Sequence, residues 1–250
     1  MFNFFVYPAA RQGDSYIISG SDYNHIVNVL RMKQGDEFLV SCEGVSSLCA
    51  LDGADAENVY AKIIEENYRS TELPVKIYLF QGLPKADKME LIIQKCTELG
   101  VYSVIPTEMK NCVVKLDDKK KKSKVSRWQT IAESAAKQSK RNIIPEVGDV
   151  LTYTQALSYM QKLDLMLIPY ENERGMTATK EALDKIKNGM SVGILIGPEG
   201  GFDEKEIAQA QAAGGLSVSL GSRILRTETA AITAVSMCML HTEMNVGDEQ

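Results

Sequence analysis

The residues best suited to chemistry lie in two glycine-marked stretches near the end of the 250-residue sequence, LIGPEGGF (195–202) and LGSRILRTETA (220–230). In the first, Leu195 and Ile196 finish an apolar run, Gly197, Gly200 and Gly201 open a loop, and Asp203 with Glu206 has the spacing of a helix capping box. Glycines at such a place let a ligand come close to the backbone, so that main-chain amides and carbonyls do the recognition. In the second, Gly221 permits a tight turn, Arg223 and Arg226 supply fixed positive charge, and Glu228 falls in the first turn of a following helix, where a carboxylate complements the dipole. Arg226 and Glu228 are equally suited to a structural ion pair. Neither stretch is a Gly-Lys-Ser/Thr phosphate loop, a GxGxxG fingerprint or a GxSxG nucleophile elbow, which disfavours acyl-transfer chemistry and the common nucleotide-binding motifs.

The elements around these loops alternate. KIYLFQGL reads as a buried strand, followed by a helix over about Asp87 to Leu99, with Asp87 and Glu90 in capping-box spacing and Gly100 as terminator. VYSVIPTE and LDLMLIPYE are further strands, RWQTIAESAAKQSK and KEALDKIKNG are helices, and the two glycine loops each join a strand to a helix. Strand and helix in strict alternation predict an α/β domain with a mostly parallel sheet covered on both faces, and ligands bind such sheets at the carboxyl ends of the strands. Before Thr71–Pro74 the pattern is different. NFFVY, SYIIS, EFLVSCE, SSLCALD and NVYAKIIEE are short β segments interrupted by one helix, DYNHIVNVLRMK, with Ile26, Val29 and Leu30 on one face and Asp22 at its start. A small β-barrel over residues 1–72, followed by an α/β domain over 73–250, is the organisation this predicts.

Composition narrows the function classes. No apolar run is long enough to span a membrane and the first residues do not form a signal peptide, so a cytoplasmic protein is expected. Five scattered cysteines (Cys42, Cys49, Cys96, Cys112, Cys238) without CxxC pairing and only two histidines, His25 and His241, suggest neither a disulfide framework nor a metal centre. The formal charge is −5, yet Lys110 to Arg141 holds 11 Lys or Arg against 3 Asp or Glu, a local +8 that leaves −13 elsewhere. That block is a candidate nucleic-acid footprint, although the DDKKKKSK run alone reads equally well as a solvated loop.

Taken together, the two loops, NFFVYP, HIVNVLRMKQGDEF, GLPKADKMELIIQKCTELGV, VVKL followed by SRWQTIAESAAKQSKR, and IPEV resemble the RsmE family of the SPOUT superfamily across nearly the whole chain. The resemblance implies a PUA-like β-barrel followed by a trefoil-knotted α/β domain, a homodimer, and S-adenosylmethionine-dependent methylation of N3 of a uridine in 16S ribosomal RNA of the small subunit. Cofactor contacts are then expected from Pro169, Tyr170, Leu195, Ile196, Gly197, Glu199, Gly200, Leu220, Gly221, Ile224 and Leu225. Arg226 and Arg223 are the expected electrostatic stabilisers, with Glu199 as the nearby carboxylate for positioning or proton acceptance. RNA contacts are expected from His25, Arg31, Lys115, Lys137, Gln138, Lys140 and Arg141. The final helix, with Ala230, Ala231, Ala234 and Met237, suits either a partner subunit or the chain's own core. Two positions depart from the family pattern, since Asn3 and Asn111 stand where arginine is common. A knotted methyltransferase acting on tRNA ribose, a non-catalytic ribosome assembly factor and an NTP-binding protein are the competing readings.

Overall fold

The computed structural model describes residues 1–170 and 175–245. The chain forms two compact units, Met1–Glu72 with Ala136–Ile144, and Leu73–Ala135 with Pro145–Gln250. The short segment Ala136–Ile144, left with the second domain by the sequence pattern, packs with the first.

The first unit is a curled six-stranded sheet. Its strands are β1 (Asn3–Phe5), β2 (Arg11–Gln12), β3 (Ser15–Ser19), β4 (Glu37–Cys42), β5 (Val45–Ala54) and β6 (Asn58–Glu65), in the order β1-β4-β5-β6-β3-β2. Period-two alternation buries Tyr16 and Ile18 from β3 and Val59 and Ala61 from β6, which meet Phe4, Phe38, Val40 and Cys49 in one core. The helix expected over DYNHIVNVLRMK is interrupted. A short α1 (Gly20–Asn24) widens into a π-helical turn over His25–Val29, closed by the Leu30 N–H donating to the His25 carbonyl at 2.8 Å. The wider turn breaks the 3.6-residue period, so Ile26 is buried while Val29 is 62% exposed. Asp22 does not cap this helix; it lies in the first turn and pairs with Lys137 at 2.9 Å.

The fixed point of this unit is Glu72. Its carboxylate accepts from Arg141 Nε at 2.9 and 3.0 Å, from the Arg141 guanidinium terminus, and from the backbone N–H groups of Asn142 (2.8 Å) and Ile143 (3.2 Å). The Arg141 carbonyl in turn accepts from the buried Asn3 Nδ2 at 2.9 Å, which ties β1 to the same segment.

The second unit is a seven-stranded parallel sheet. Its strands are β7 (Lys76–Gly82), β8 (Ser103–Glu108), β9 (Glu146–Val147), β10 (Leu151–Thr152), β11 (Leu165–Pro169), β12 (Ser191–Ile196) and β13 (Leu216–Val218). They run β10-β8-β7-β12-β11-β13, with β9 also on β8. The central strands are almost continuously apolar because helices cover both faces. These are α2 (Lys88–Glu98), α3 (Asp118–Ser139), α4 (Tyr153–Met160), α5 (Thr177–Leu183), α6 (Glu204–Ala212) and α7 (Thr227–Asn245). Ala231 and Ala234 of α7 are buried within the chain's own core, and Ala230 and Met237 pack partly against it.

Three local expectations change. The lysine run lies inside α3, not in a loop; Asp117 starts this helix by accepting the Lys120 N–H at 2.8 Å, and acidic residues suit an N-terminus. Asp87 precedes α2 but makes no side-chain cap, because Glu90 is drawn to Arg127 at 2.7 Å. Helix α4, which the strand and helix pattern passes over, is started by a reciprocal Thr152–Gln155 capping box. The cysteines behave as small apolar residues: burial pushes the Cys49 and Cys238 thiols up to about 12. Among the described residues no helix is long and apolar enough to cross a membrane.

Removing the half-buried Glu72 carboxylate strands the buried Arg141 charge and two backbone donors. Glu72→Ala is therefore expected to destabilise the first unit by about 3 kcal/mol in chemical denaturation, and a Glu72→Ala/Arg141→Met pair to recover part of that loss.

Candidate functional site

Because every pairing in the second sheet is parallel, the loops after β7, β8, β11, β12 and β13 emerge on one edge. Both glycine loops, 197–203 and 219–226, are there. The first is placed against the end of β7 by β12, in register from Ser191↔Lys76 to Ile196↔Gln81, and the second follows β13, two strands away across β11. One residue later the backbones come closer still: a Cβ on Gly82 would lie 2.7 Å from the Pro198 nitrogen, so only glycine fits.

Two sets of side chains then tie the loops together. Thr227, at the start of α7, donates its hydroxyl to the Gly197 carbonyl at 2.7 Å and accepts from Gln81 Nε2 at 2.9 Å. Gln81 is fully buried, and its Nε2 also donates to the Gly82 carbonyl at 2.9 Å, while its Oε1 has no partner among the described residues. At the rim, Lys88 Nζ lies 3.1 Å from Glu199 Oε1 and 3.2 Å from Glu228 Oε2. The hydrogen bond to Glu199, with the second carboxylate beside it, holds the Lys88 ammonium above its ordinary value. Burial pushes the Glu199 carboxyl up, but the Lys85 N–H (3.0 Å), its own backbone N–H and Lys88 outweigh this and hold it below the ordinary range. Such a carboxylate is a weak base, which favours positioning over proton acceptance.

The first loop is braced from β8 as well. Asn111 Nδ2 donates to the carbonyls of Gly200 (3.2 Å) and Gly201 (3.3 Å), and Lys110 pairs with Asp203. The expected Asp203–Glu206 capping box forms. Asn111 thus faces the glycine loop, a role an arginine would not fill in the same way, and nothing in its sequence neighbourhood signals it.

The second loop is left open. Gly221 has φ +104°, a conformation that favours glycine, and the space its missing Cβ would occupy is bordered by the flexible tip of Arg223. From Ser222 to Leu225, among the described residues, no backbone N–H or carbonyl has a protein hydrogen-bond partner. Ile224 is 86% exposed, and Leu220 and Leu225 are partly buried. Pro169 ends the neighbouring β11, and Tyr170 beside it donates its N–H to the Val218 carbonyl at 3.1 Å. Arg223 and Arg226 are exposed and make no ion pair among the described residues. The Arg226–Glu228 pair that the sequence allows does not form, because Glu228 turns to Lys88.

A family model for the RNA methyltransferase domain matches residues 71–239, and one for the RNA methyltransferase PUA domain matches residues 18–64. The ribosomal RNA small subunit methyltransferase E of Bacillus subtilis (strain 168) is 41% identical over 95% of this chain and 94% of its own length. The chain belongs to the ribosomal RNA small subunit methyltransferase E family. Solved relatives agree in fold. A methyltransferase from Legionella pneumophila, in complex with the cofactor SAM, superposes with TM-score 0.81 at 31% identity, covering 96% of this chain and 97% of its own. The family's Neisseria gonorrhoeae member, bound to S-adenosyl methionine, gives 0.82 at 28% identity over 100% of both chains. The mixed α/β, SPOUT-type architecture with a leading PUA domain is that of the family.

The residues expected at RNA fare differently from one another. Arg141 is a correction: only 3% exposed and held by Glu72, its guanidinium cannot reach a phosphate. Lys137 is half-buried on Asp22, whereas Gln138, Lys115 and Arg31 are exposed and Lys140 partly so. His25 packs edge-on against Phe2 and Phe4, with ring centroids 6.2 and 6.0 Å away. Asn3, where the family pattern has arginine, is buried between Ser41 and Arg141.

If Thr227 is the pin between the loops, Thr227→Val should cost about 1–3 kcal/mol by leaving Gln81 and the Gly197 carbonyl unsatisfied. Thr227→Ser should retain most of the stability, as read by thermal and chemical denaturation.

Proposed function

We propose that the chain transfers a methyl group from S-adenosylmethionine to N3 of one uridine in 16S ribosomal RNA of the small subunit, acting in the cytoplasm. The observation that carries this reading is the juxtaposition of an unpartnered backbone run, Ser222 to Leu225, with two unpaired guanidiniums, Arg223 and Arg226. Backbone groups of that kind fit an adenosyl ligand, and among the described residues no Gly-Lys-Ser/Thr phosphate loop accompanies them. In this reading Leu195, Ile196, Gly197, Glu199 and Gly200 form one wall, Leu220, Gly221, Ile224 and Leu225 the other, and Pro169 with Tyr170 the end. The bound cofactor supplies an electrophilic methyl group.

Uridine N3 is protonated at neutral pH, so its reaction requires loss of a proton and places negative charge on the ring oxygens. Arg226, with Arg223 beside it, offers fixed cations for that charge in a site whose carboxylates are already engaged. Glu199 holds the loop and, with its carboxyl held below the ordinary range, is a weak base, so the N3 proton passes to solvent water. N3 is the atom that pairs in a duplex, so the target base must be unpaired or flipped out. Residues 1–72 act as the PUA-like RNA-binding domain and 73–250 as the methyltransferase domain, with RNA held by Arg31, Lys115, Gln138, Lys140 and His25. The protein works as a homodimer.

Small subunits from a strain lacking this protein should accept labelled methyl groups at a single uridine base, read by mass mapping of the rRNA. Label on ribose, on tRNA or nowhere would sink the assignment, and labelled tRNA ribose would support the competing enzyme. Arg226→Ala is expected to lower turnover about 10²-fold, as for loss of one preorganised donor, with calorimetric cofactor affinity within a few fold. With about four phosphates contacted, RNA affinity should fall roughly 10²-fold between about 50 and 200 mM salt.

A further inference from the structure

We propose that Lys88 is a positioning residue for the RNA side of this site: by engaging Glu199 and Glu228 together, it keeps both carboxylates away from Arg223 and Arg226. This rests on the function proposed above, and it accounts for three observations that the function alone does not require.

First, Lys88 is the first residue of α2. A cation at a helix N-terminus opposes the dipole, so the helix itself gains nothing from a lysine there. Second, the ammonium bridges Glu199 of the first glycine loop, at 3.1 Å, and Glu228 of the first turn of α7, at 3.2 Å, the latter as an ion pair without a hydrogen bond, with side-chain exposures of 25% for Lys88, 24% for Glu199 and 15% for Glu228. Groups this far from solvent demand a counter-charge, because water screens and solvates them poorly. Third, Arg226 has an acidic residue two positions away and Arg223 shares its loop, yet neither makes an ion pair among the described residues. Two half-buried carboxylates and two exposed guanidiniums at one edge of a sheet would ordinarily find each other. Lys88 is what separates them.

The consequence is a division of charge within the site. Lys88 answers the fixed carboxylates, and the guanidiniums stay available for an anionic ligand. Replacing Lys88 by a neutral residue releases Glu228, whose nearest cation along the chain is Arg226. An Arg226 held by its own protein must break that pair before it meets RNA. A simple structural staple predicts something different, since it matters only that the two loops are joined and not which charges remain free.

Four variants, read by RNA binding, turnover and cofactor affinity and then by proton exchange, separate these cases. Lys88→Met should weaken binding of an rRNA fragment by about five-fold, the scale of a partly exposed ion pair, and lower kcat while cofactor affinity measured by calorimetry stays within about two-fold of wild type. Lys88→Arg should retain wild-type behaviour. Glu228→Gln added to Lys88→Met should restore RNA binding, because the competing carboxylate is gone. The last readout is solvent exchange of the arginine Nε–H protons by NMR, which should slow for Arg226 in Lys88→Met and be unchanged in Glu228→Gln alone. A double variant no better than Lys88→Met would overturn the proposal. So would unaltered Arg226 exchange in Lys88→Met, or faster exchange in Glu228→Gln, which needs no uncompensated charge and decides the matter if Lys88→Met is too unstable to purify. Wild-type protein that methylates no RNA would overturn the functional reading instead, while the exchange measurement would still decide the role of Lys88.

Discussion

The site depends above all on the parallel pairing of β12 with β7. Six consecutive residue pairs bring the strands to their carboxyl ends in register, and the next residue on each side is Gly82 and Gly197. With no Cβ on Gly82, the Pro198 nitrogen can come to van der Waals distance, and the first glycine loop leaves the sheet over the end of β7. Gln81, the last β7 residue in that register, is then buried where its amide reaches both the Gly82 carbonyl and Thr227. Thr227 passes the connection on to Gly197. A register shift of one residue would turn Gln81 to the opposite face of the sheet and separate the two loops.

Charge is distributed by the same geometry. Along Lys110 to Arg141 the formal excess of cations suggests a broad basic surface, but many of these groups have acidic partners. Lys110 is held by Asp203, Lys120 by Asp117, Lys121 by Glu108, Arg127 by Glu90, Lys137 by Asp22 and Arg141 by Glu72. Some of these pairs are exposed and worth little in stability, yet each reduces the field offered to a polyanion. The second glycine loop shows the opposite arrangement. Its two arginines stay open while a lysine from another element occupies the neighbouring carboxylates, so free positive charge stands at the loop edge as well as on the unpaired lysines of the block, Lys115, Lys119, Lys122, Lys124 and Lys140 among the described residues.

How far the sequence could be followed varies with the range of the interactions involved. The strands and most helices were readable because they follow from local periodicity: alternating burial in β3 and β6, continuous apolar runs in β7, β11 and β12, and the Asp203–Glu206 cap of α6. Elements were misread where a tertiary partner displaced the local pattern. Glu90 left the cap of α2 for Arg127, and Asp22 left the start of α1 for Lys137, 115 residues away. The π-helical turn at His25 moved Val29 to the surface, and α4 was passed over although its capping box is local.

The sequence by itself determined the order of strands and helices, the two loops able to take a ligand on their backbone, and, through resemblance along nearly its whole length, the family. These follow from side-chain size, period and turn chemistry over a few residues, and from a pattern spread along the chain. Only the tertiary structure decided which charges are available. Arg141 and Arg226 look alike in sequence, but one is buried on Glu72, 69 residues away, and the other stands open because Lys88 has taken Glu228. The difference arises because ion pairing is settled by distance and burial in the folded chain, and no local spacing encodes which of several candidate partners will be near.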